Sequence, residues 1–253
     1  MSSTIHEIAL AARQASSAVA DLPGDVRNDV LVNLAGRLER QRARILDANS
    51  VDMENARSVG LDTPKLRRLE LTESGLTQLA EGLRQIAALP DPVGEVTRSY
   101  AVPSGLNVER VRTPLGVIAM IYEARPGVTI DAFALCFKSG NACLLKGGKE
   151  ALHSNEVLAE ITREALEAHG APAHAIQVIT TSSRDDLREL LTYSDEIDLV
   201  IPRGGESLIR FVHEHSRIPT IQHFKGVCHV YVDKDADLDK ALEIVVTGKT
   251  SAP

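Results

Sequence analysis

The length of 253 residues suggests one large or two modest domains, and contents of 43% hydrophobic and 25% charged residues are typical of a globular protein, whereas only 3% are aromatic. Its net charge of −7 and its lack of tryptophan argue against nucleic-acid binding through a basic surface or through stacked bases. No run of about 18 apolar residues is present, which argues against a membrane span. The lack of a C-x-x-C pair argues against a disulfide framework and a metal site. No signal peptide is indicated, and together these features favour a cytoplasmic protein.

Residues 1 to 90 carry the pattern of amphipathic helices. Apolar residues recur at helical spacing, with arginine and glutamate between them, at Val30, Leu34, Leu38 and Ile45. Residues 72 to 88 show the same pattern, which ends before the Pro90-Asp91-Pro92 segment. The sequence therefore predicts a helical N-terminal region.

The pattern changes at about residues 95 to 113. Polar and apolar residues alternate on both sides of the Pro103-Ser104-Gly105 turn, which indicates a β-hairpin. Because both strands are polar on one face, we expect the hairpin to lie over another subunit.

From Gly116 onward, short apolar runs alternate with helical stretches. The runs cover residues 117–121, 142–145, 176–179, 197–201 and 230–232. Continuous apolar runs fit strands covered on both faces, and their alternation with helices predicts βαβ units and a mostly parallel sheet. Ligands bind such sheets beyond the carboxyl ends of the strands, so the residues after each run are the first candidates for a site.

Arg125 follows the first of these runs, where a strand gives way to a helix. A helix N-terminus with an arginine beside it is suited to binding an anion. Pairing of Arg125 with Glu123 or another nearby acid is an alternative that the pattern leaves equally open.

Glycine turns follow two further runs. Lys146-Gly147-Gly148-Lys149 is suited to holding phosphate, although a turn with solvated lysines fits the pattern as well. Arg203-Gly204-Gly205 precedes a helix and predicts a phosphate cradle of backbone N–H groups. Neither turn is a P-loop or a G-x-G-x-x-G fingerprint, but two such turns at neighbouring strand ends indicate a nucleotide site.

Histidines and cysteines are the remaining candidates. His213 and His215 lie two residues apart in a helix, hence on different faces, and are poor joint metal ligands. His223 is a titratable group at a strand end, with a structural histidine as the alternative. Cys228 lies beside an apolar run, where a buried, unreactive thiol is favoured.

Segments spread along the chain form one ordered pattern: Pro114–Ile118, Tyr122–Pro126, Lys138–Ala142, Glu150–Asn155, Ile201–Gly205 and Cys228–Asp233. With this pattern, almost the whole chain resembles the γ-glutamyl phosphate reductases of the aldehyde dehydrogenase superfamily. The Tyr-Glu-Ala-Arg-Pro and Ile-Pro-Arg-Gly-Gly segments are the most specific of the matches.

The resemblance implies an α/β, aldehyde-dehydrogenase-like fold of N-terminal helices plus a Rossmann-like parallel sheet, with a β-hairpin arm for homo-oligomerisation. It implies a cofactor-binding domain over residues 1–224, interrupted by the arm at about 95–113, and the start of a catalytic domain over 225–253. The implied reaction, in proline biosynthesis, is the NADPH-dependent reduction of L-glutamyl 5-phosphate to L-glutamate 5-semialdehyde and phosphate. A cysteine thiolate attacks the acyl phosphate, phosphate leaves, and hydride from the cofactor reduces the thioester.

The resemblance also implies residue roles. The substrate is expected to contact Arg125, Glu123 and His223, and the cofactor is expected to contact Lys146, Gly147, Lys149, Arg203, Gly204 and Gly205. Lys149 stands where NAD-preferring members of the superfamily commonly have a glutamate. An ammonium pairs with a 2′-phosphate, whereas a carboxylate repels it, so we expect NADP(H) as the cofactor.

The resemblance has departures, and two alternatives stay open. The nucleophilic cysteine is expected just past Pro253, so no catalytic residue and no activity are expected within this chain. Ala252 replaces an arginine of the family, and Gly127 stands where the family usually has asparagine. The alternatives are a non-catalytic nucleotide-binding or subunit-interaction module and an aldehyde-oxidising dehydrogenase, which the lack of a glutamate in residues 223–227 disfavours.

Overall fold

The computed structural model describes residues 4–181, 183–222 and 229–250. The chain forms two compact units, Met1–Gln222 and His223–Pro253. His223 and Cys228 lie outside the described residues. The assignment of residues 1–224 to cofactor binding and of 225–253 to catalysis stays a prediction. No described helix is long and apolar enough to cross a membrane.

The N-terminal region is helical, as its periodicity predicts. Five helices follow one another: α1 (Ile5–Ala20), α2 (Gly24–Arg40), α3 (Arg42–Ser58), α4 (Thr63–Leu69) and α5 (Glu73–Ala88). Side chains cap several of them, because the first amides of a helix have no partner within it. Thr4 forms a capping box with Glu7, and Thr72 accepts a hydrogen bond from the Gly75 amide. The four apolar residues that carry the pattern in α2 and α3 are all buried.

The hairpin is confirmed. Strands β1 (Val96–Ala101) and β2 (Asn107–Val111) pair antiparallel with each other and with no other described strand. Nearly all their residues are exposed on both faces. An isolated two-stranded ribbon is marginally stable in water.

The parallel sheet is also confirmed, with strand order β5-β4-β3-β6. Its strands are β3 (Val117–Tyr122), β4 (Ala142–Lys146), β5 (Ile176–Val178) and β6 (Leu199–Arg203). The connecting helices are α6 (Pro126–Lys138), α7 (Leu152–Glu167) and α8 (Arg184–Leu190), and α9 (Glu206–His215) follows the last strand. All three strand pairings are parallel, as expected for βαβ connections.

Helices cover both faces of this sheet, which explains the continuous apolar runs. Residues of α2, α5, α6 and α7 form the core on one face. Residues of α1, α8 and α9 form the core on the other face. Arg13 binds both carboxylate oxygens of Asp198, at 2.8 and 3.1 Å. Asp198 also accepts a hydrogen bond from the amide of Val117, the first residue of β3.

The second unit contains the helix α10 (Leu238–Thr250). The strand predicted for Val230–Val232 is wrong, since this segment pairs with no described strand and its three residues are 53%, 85% and 41% exposed. An apolar run forms a strand only beside a partner that supplies the backbone hydrogen bonds. No such partner is present among the described residues of this unit.

Candidate functional site

Three strand ends meet at one edge of the sheet. Register pairs Ile121 with Lys146 and Tyr122 with Arg203, so strands β4, β3 and β6 end level with one another. The segments that follow them, which the sequence singled out, are therefore neighbours. This edge is the place where parallel sheets bind ligands.

Glu123 connects two of these segments. Its Oε1 accepts a hydrogen bond of 2.9 Å from the Gly205 amide, which precedes α9. Its Oε2 lies 3.5 Å from a guanidinium nitrogen of Arg68. A carboxylate therefore already occupies the N-terminus of α9, where backbone N–H groups and the helix dipole favour an anion. Glu123 is about half exposed, since 42% of its side chain is accessible.

The glycines after β4 are explained by packing within the protein. A Cβ at Gly148 would lie 2.7 Å from the Ala124 backbone nitrogen, so the two loops approach too closely there for any other residue. A Cβ at Gly147 would overlap the Asn155 side chain and lie 3.2 Å from the Tyr122 ring. A Cβ at Gly204 would lie 3.1 Å from Glu123, whereas Gly205 has more room.

Cations lie along the same edge. Lys149 and Arg203 are exposed, and neither side chain has a hydrogen bond or ion pair with any described residue. Lys146 is half-buried, and desolvation lowers its pKa, while the carboxylates of Asp186 and Glu150 act in the opposite direction. Lys149 and Arg203 thus give this edge positive charge that pairs with no acid among the described residues.

The N-terminus of α7 is already neutralised by a buried acid. Asp52, only 2% exposed, accepts from the His153 and Ser154 amides at 3.2 and 2.8 Å and from the Ser154 hydroxyl at 2.7 Å. The His153 ring nitrogen Nδ1 lies 2.8 Å from the same carboxylate. Although α7 follows the Lys-Gly-Gly-Lys turn, its first amides are taken.

Arg125 lies at the N-cap of α6, as predicted. The alternative pairing of Arg125 with Glu123 is wrong, because the Glu123 carboxylate binds Gly205 and Arg68, and only backbone atoms join residues 123 and 125. The Arg125 side chain has no partner among the described residues and lines a groove of about 270 Å³ with Arg68 and Asp131. Desolvation raises the pKa of Asp131.

The described cysteines are poorly suited to nucleophilic catalysis. Burial raises the pKa of Cys136 to about 12 and that of Cys143 well above its ordinary range, so neither forms a thiolate at neutral pH. His215 contacts the Phe211 carbonyl oxygen, as surface helix histidines commonly do. The described residues contain no group of three or more histidine, cysteine or acidic side chains suited to a metal ion.

Sequence reasoning missed Arg68, Asp52 and Asp131. Nothing distinguishes Arg68 from the neighbouring Arg67, or Asp52 from other helix acids, because their partners are more than 50 positions away along the chain. Asp131 did leave a signal, since it is the one acid in the mostly apolar helix α6.

The chain is similar over nearly its whole length to proteins of one family. The model of the aldehyde dehydrogenase family matches residues 2–252. The γ-glutamyl phosphate reductase of Geobacter metallireducens is 51% identical over 98% of this chain, and that of Xanthomonas campestris pv. campestris is 48% identical over 99% of it. This chain spans 60% of the length of each relative.

The structural comparison agrees. The crystal structure of γ-glutamyl phosphate reductase from Thermotoga maritima matches with a TM-score of 0.91 and 35% identity, covering 98% of this chain and 60% of that one. The aldehyde-dehydrogenase-like fold is therefore confirmed, and the family implies oxidoreductase chemistry with a nicotinamide cofactor. From its sequence match and its fold together, the chain belongs to the aldehyde dehydrogenase family.

Proposed function

We propose that the chain carries the cofactor-binding part of an enzyme that reduces L-glutamyl 5-phosphate with NADPH to L-glutamate 5-semialdehyde and phosphate, in proline biosynthesis. The relatives of that name, at 48% and 51% identity, support the reaction. Since the chain spans 60% of their length, the reaction is proposed for the whole protein. The observation that carries the cofactor role is the unneutralised positive charge at the sheet edge, beside an anion-binding helix N-terminus.

This edge of the sheet is suited to binding the pyrophosphate of a dinucleotide. Arg203, Gly204 and Gly205 would hold the pyrophosphate, since the α9 N-terminus already binds an anion and Arg203 pairs with no described residue. Glu123 would have to release the Gly205 amide, and Arg68 is in place to keep its charge compensated. When bound, the nicotinamide supplies the hydride, and the protein supplies position and charge.

The other end of the cofactor decides between NADP(H) and NAD(H). Lys146 and Gly147 would face the adenosine ribose, and Lys149 would face the 2′-phosphate. The exposed Lys149 ammonium, which no described residue pairs with, can pair with a dianion and cannot accept a hydrogen bond from a 2′-hydroxyl. We therefore assign NADP(H).

Substrate contacts are assigned to Arg125, Glu123 and His223, of which His223 lies outside the described residues. The guanidinium of Arg125 at the start of α6 has no partner in the described part of the chain and is suited to a phosphate or a carboxylate. Because burial keeps Cys136 and Cys143 protonated at neutral pH, neither of these two cysteines is suited to be the nucleophile of this reaction.

The hairpin supports a second role in assembly. Its exposed ribbon would be covered by another copy of the chain in a homo-oligomer, which would remove the cost of an isolated pair of strands. A cytoplasmic location fits a biosynthetic enzyme of this kind. If the chain serves only in subunit interaction, it will not bind nucleotides.

Competition between nucleotides tests the cofactor assignment. NADPH fluorescence is titrated with the chain, and 2′,5′-ADP and 5′-ADP are then added as competitors. We expect 2′,5′-ADP to displace NADPH at least about tenfold more effectively, since a charge contact of about 1.4 kcal/mol gives a factor of ten. Equal competition would remove the assignment to NADP(H), and no fluorescence change at all would favour the interaction module.

A further inference from the structure

The groove of about 270 Å³ beside the N-terminus of α6 has charge of both signs. Arg68 and Arg125 line it, and so do Glu70 and Asp131. Gly127 also lines it, and a Cβ there would lie 3.5 Å from Leu79, an ordinary contact, with no positive φ. Glycine is therefore not required by the backbone at this position, and its effect is to leave space between α5 and α6.

The positive part of the groove lies at the start of α6. The Arg125 guanidinium has no partner among the described residues, and Arg68 has only a 3.5 Å contact with Glu123. The first amides of α6 add the positive end of a helix dipole. Together these groups favour a carboxylate ligand, which arginine binds through two parallel hydrogen bonds.

The negative part lies one helical turn further along. Asp131 is four residues after Gly127 and therefore shares its face of α6, toward the groove. The Asp131 carboxylate has no hydrogen bond or ion pair with any described residue. Asp131 is exposed to the groove, and desolvation raises its pKa. A ligand with an ammonium group would pair with the carboxylate and favour its ionised form.

We propose that this groove binds the α-amino-acid end of the substrate, with Arg125 and Arg68 on the α-carboxylate and Asp131 on the α-ammonium. The inference rests on the proposed function, which supplies the substrate class. It commits Arg125 to the carboxylate rather than to the phosphate. It also leaves the acyl phosphate end of the substrate free to extend toward the sheet edge, where the cofactor is proposed to bind.

Ligands that lack one charge test the inference. The 253-residue chain is titrated by amide NMR with L-glutamate, with glutarate, which lacks the ammonium, and with 4-aminobutyrate, which lacks the α-carboxylate. We expect L-glutamate to bind about tenfold more tightly than either, with shifts centred on residues 125–131. In Asp131→Asn the preference for L-glutamate over glutarate should fall below about twofold, and in Arg125→Gln the preference over 4-aminobutyrate should fall likewise.

Glu70→Gln is the matched control, because it removes a carboxylate from the same groove. It should leave both preferences unchanged. The inference is overturned if the wild type binds L-glutamate no better than glutarate, if L-glutamate does not bind at tens of millimolar, if Asp131→Asn keeps the preference, or if Glu70→Gln abolishes it.

Two further measurements separate this inference from the proposed function and from misfolding. Asp131→Asn should bind NADPH as tightly as the wild type does. If neither protein binds NADPH, that result counts against the cofactor assignment alone. Thermal stability of Asp131→Asn at pH 7 should equal or exceed that of the wild type. An aspartate whose folded pKa is raised destabilises the fold as the pH rises through that pKa, and asparagine removes this effect.

Discussion

Glu123 and Gly205 are joined by a hydrogen bond of 2.9 Å, in which the amide before α9 donates to a carboxylate that follows the neighbouring strand. The chain therefore supplies its own anion at the position proposed for the pyrophosphate. Binding of the cofactor then requires the pyrophosphate to replace the Glu123 carboxylate, so the charge of Glu123 should lower the affinity for the cofactor.

Glu123→Gln should tighten the binding of 5′-ADP and NADPH about fivefold. The amide still fits between Gly205 and Arg68 but carries no charge to compete with the pyrophosphate, an effect of about 1 kcal/mol. Calorimetry of both ligands is the measurement. Glu206→Gln, which removes a carboxylate from the first turn of the same helix, controls for general electrostatics. Equal effects of the two variants would show that Glu123 does not occupy the phosphate position.

Lys149→Glu should move the cofactor preference from NADP(H) toward NAD(H). The variant removes an attractive charge at the proposed 2′-phosphate position and places a repulsive one there, each worth up to about fivefold at an exposed contact of about 1 kcal/mol. Parallel titrations with NADPH and NADH measure the ratio. Arg57→Glu makes the same change of charge on the exposed end of α3 and should leave the ratio unaltered. The assignment of Lys149 is wrong if its variant behaves like this control.

The pH dependence of 2′,5′-ADP binding should report Lys146. Because desolvation lowers the pKa of this lysine, the ammonium is lost at a lower pH than in an ordinary lysine, and affinity should fall as the pH rises toward that lowered value. Asp186 and Glu150 act in the opposite direction and therefore limit this lowering of the pKa. Lys146→Arg stays charged and should give a flatter profile over the same range. Parallel profiles for the two proteins would argue against a role of Lys146.

Oligomerisation should depend on one face of the hairpin. Register places Arg98 opposite Arg110 and Tyr100 opposite Val108, and the Arg98 guanidinium lies 4.9 Å from the Tyr100 ring centroid. The double change Tyr100→Ser and Val108→Ser removes the apolar pair and should dissociate the oligomer in light-scattering measurements. Glu109→Gln alters the opposite face of the same ribbon and should not. A monomeric wild type would refute the proposal.

The described cysteines should be unreactive in the folded protein. In a Cys228→Ser background, a thiol-specific disulfide reagent at pH 8 should label neither Cys136 nor Cys143, because burial raises both pKa values and keeps the thiols protonated. Both should react after denaturation. Rapid labelling of the native protein, or reductase turnover that depends on either thiol, would contradict this expectation.

The sheet and the hairpin were predictable because their signals are local. Continuous apolar runs mark strands covered on both faces, and Pro103-Ser104-Gly105 marks a turn between alternating strands. The run at residues 230–232 carries the same signal but forms no strand, because pairing depends on a partner that no local pattern reveals.

The positions of the candidate residues were predictable from the sheet, but their partners were not. Parallel strands bring residues 123, 149 and 203 to one edge, as the alternation of strands and helices implies. The contact between Glu123 and Gly205 joins positions 82 apart, and that between Asp52 and Ser154 joins positions 102 apart. Such pairs depend on how α3 and the loops pack, which hydrophobic periodicity does not encode.

The acid at the start of α7 differs from the one at the start of α9 in how easily it can leave. Asp52 is enclosed, and its departure would strand two amides, a hydroxyl and an imidazole nitrogen without a partner. Glu123 is half exposed and accepts a hydrogen bond from one amide, and Arg68 can stay paired with it if it leaves. The two helix starts that follow the glycine turns therefore differ: the amides of His153 and Ser154 at the start of α7 stay bound to a buried acid, whereas the Gly205 amide before α9 is bound by an acid that can move away. A dinucleotide has a single pyrophosphate, and of these two helix starts only that of α9 can exchange its own acid for it.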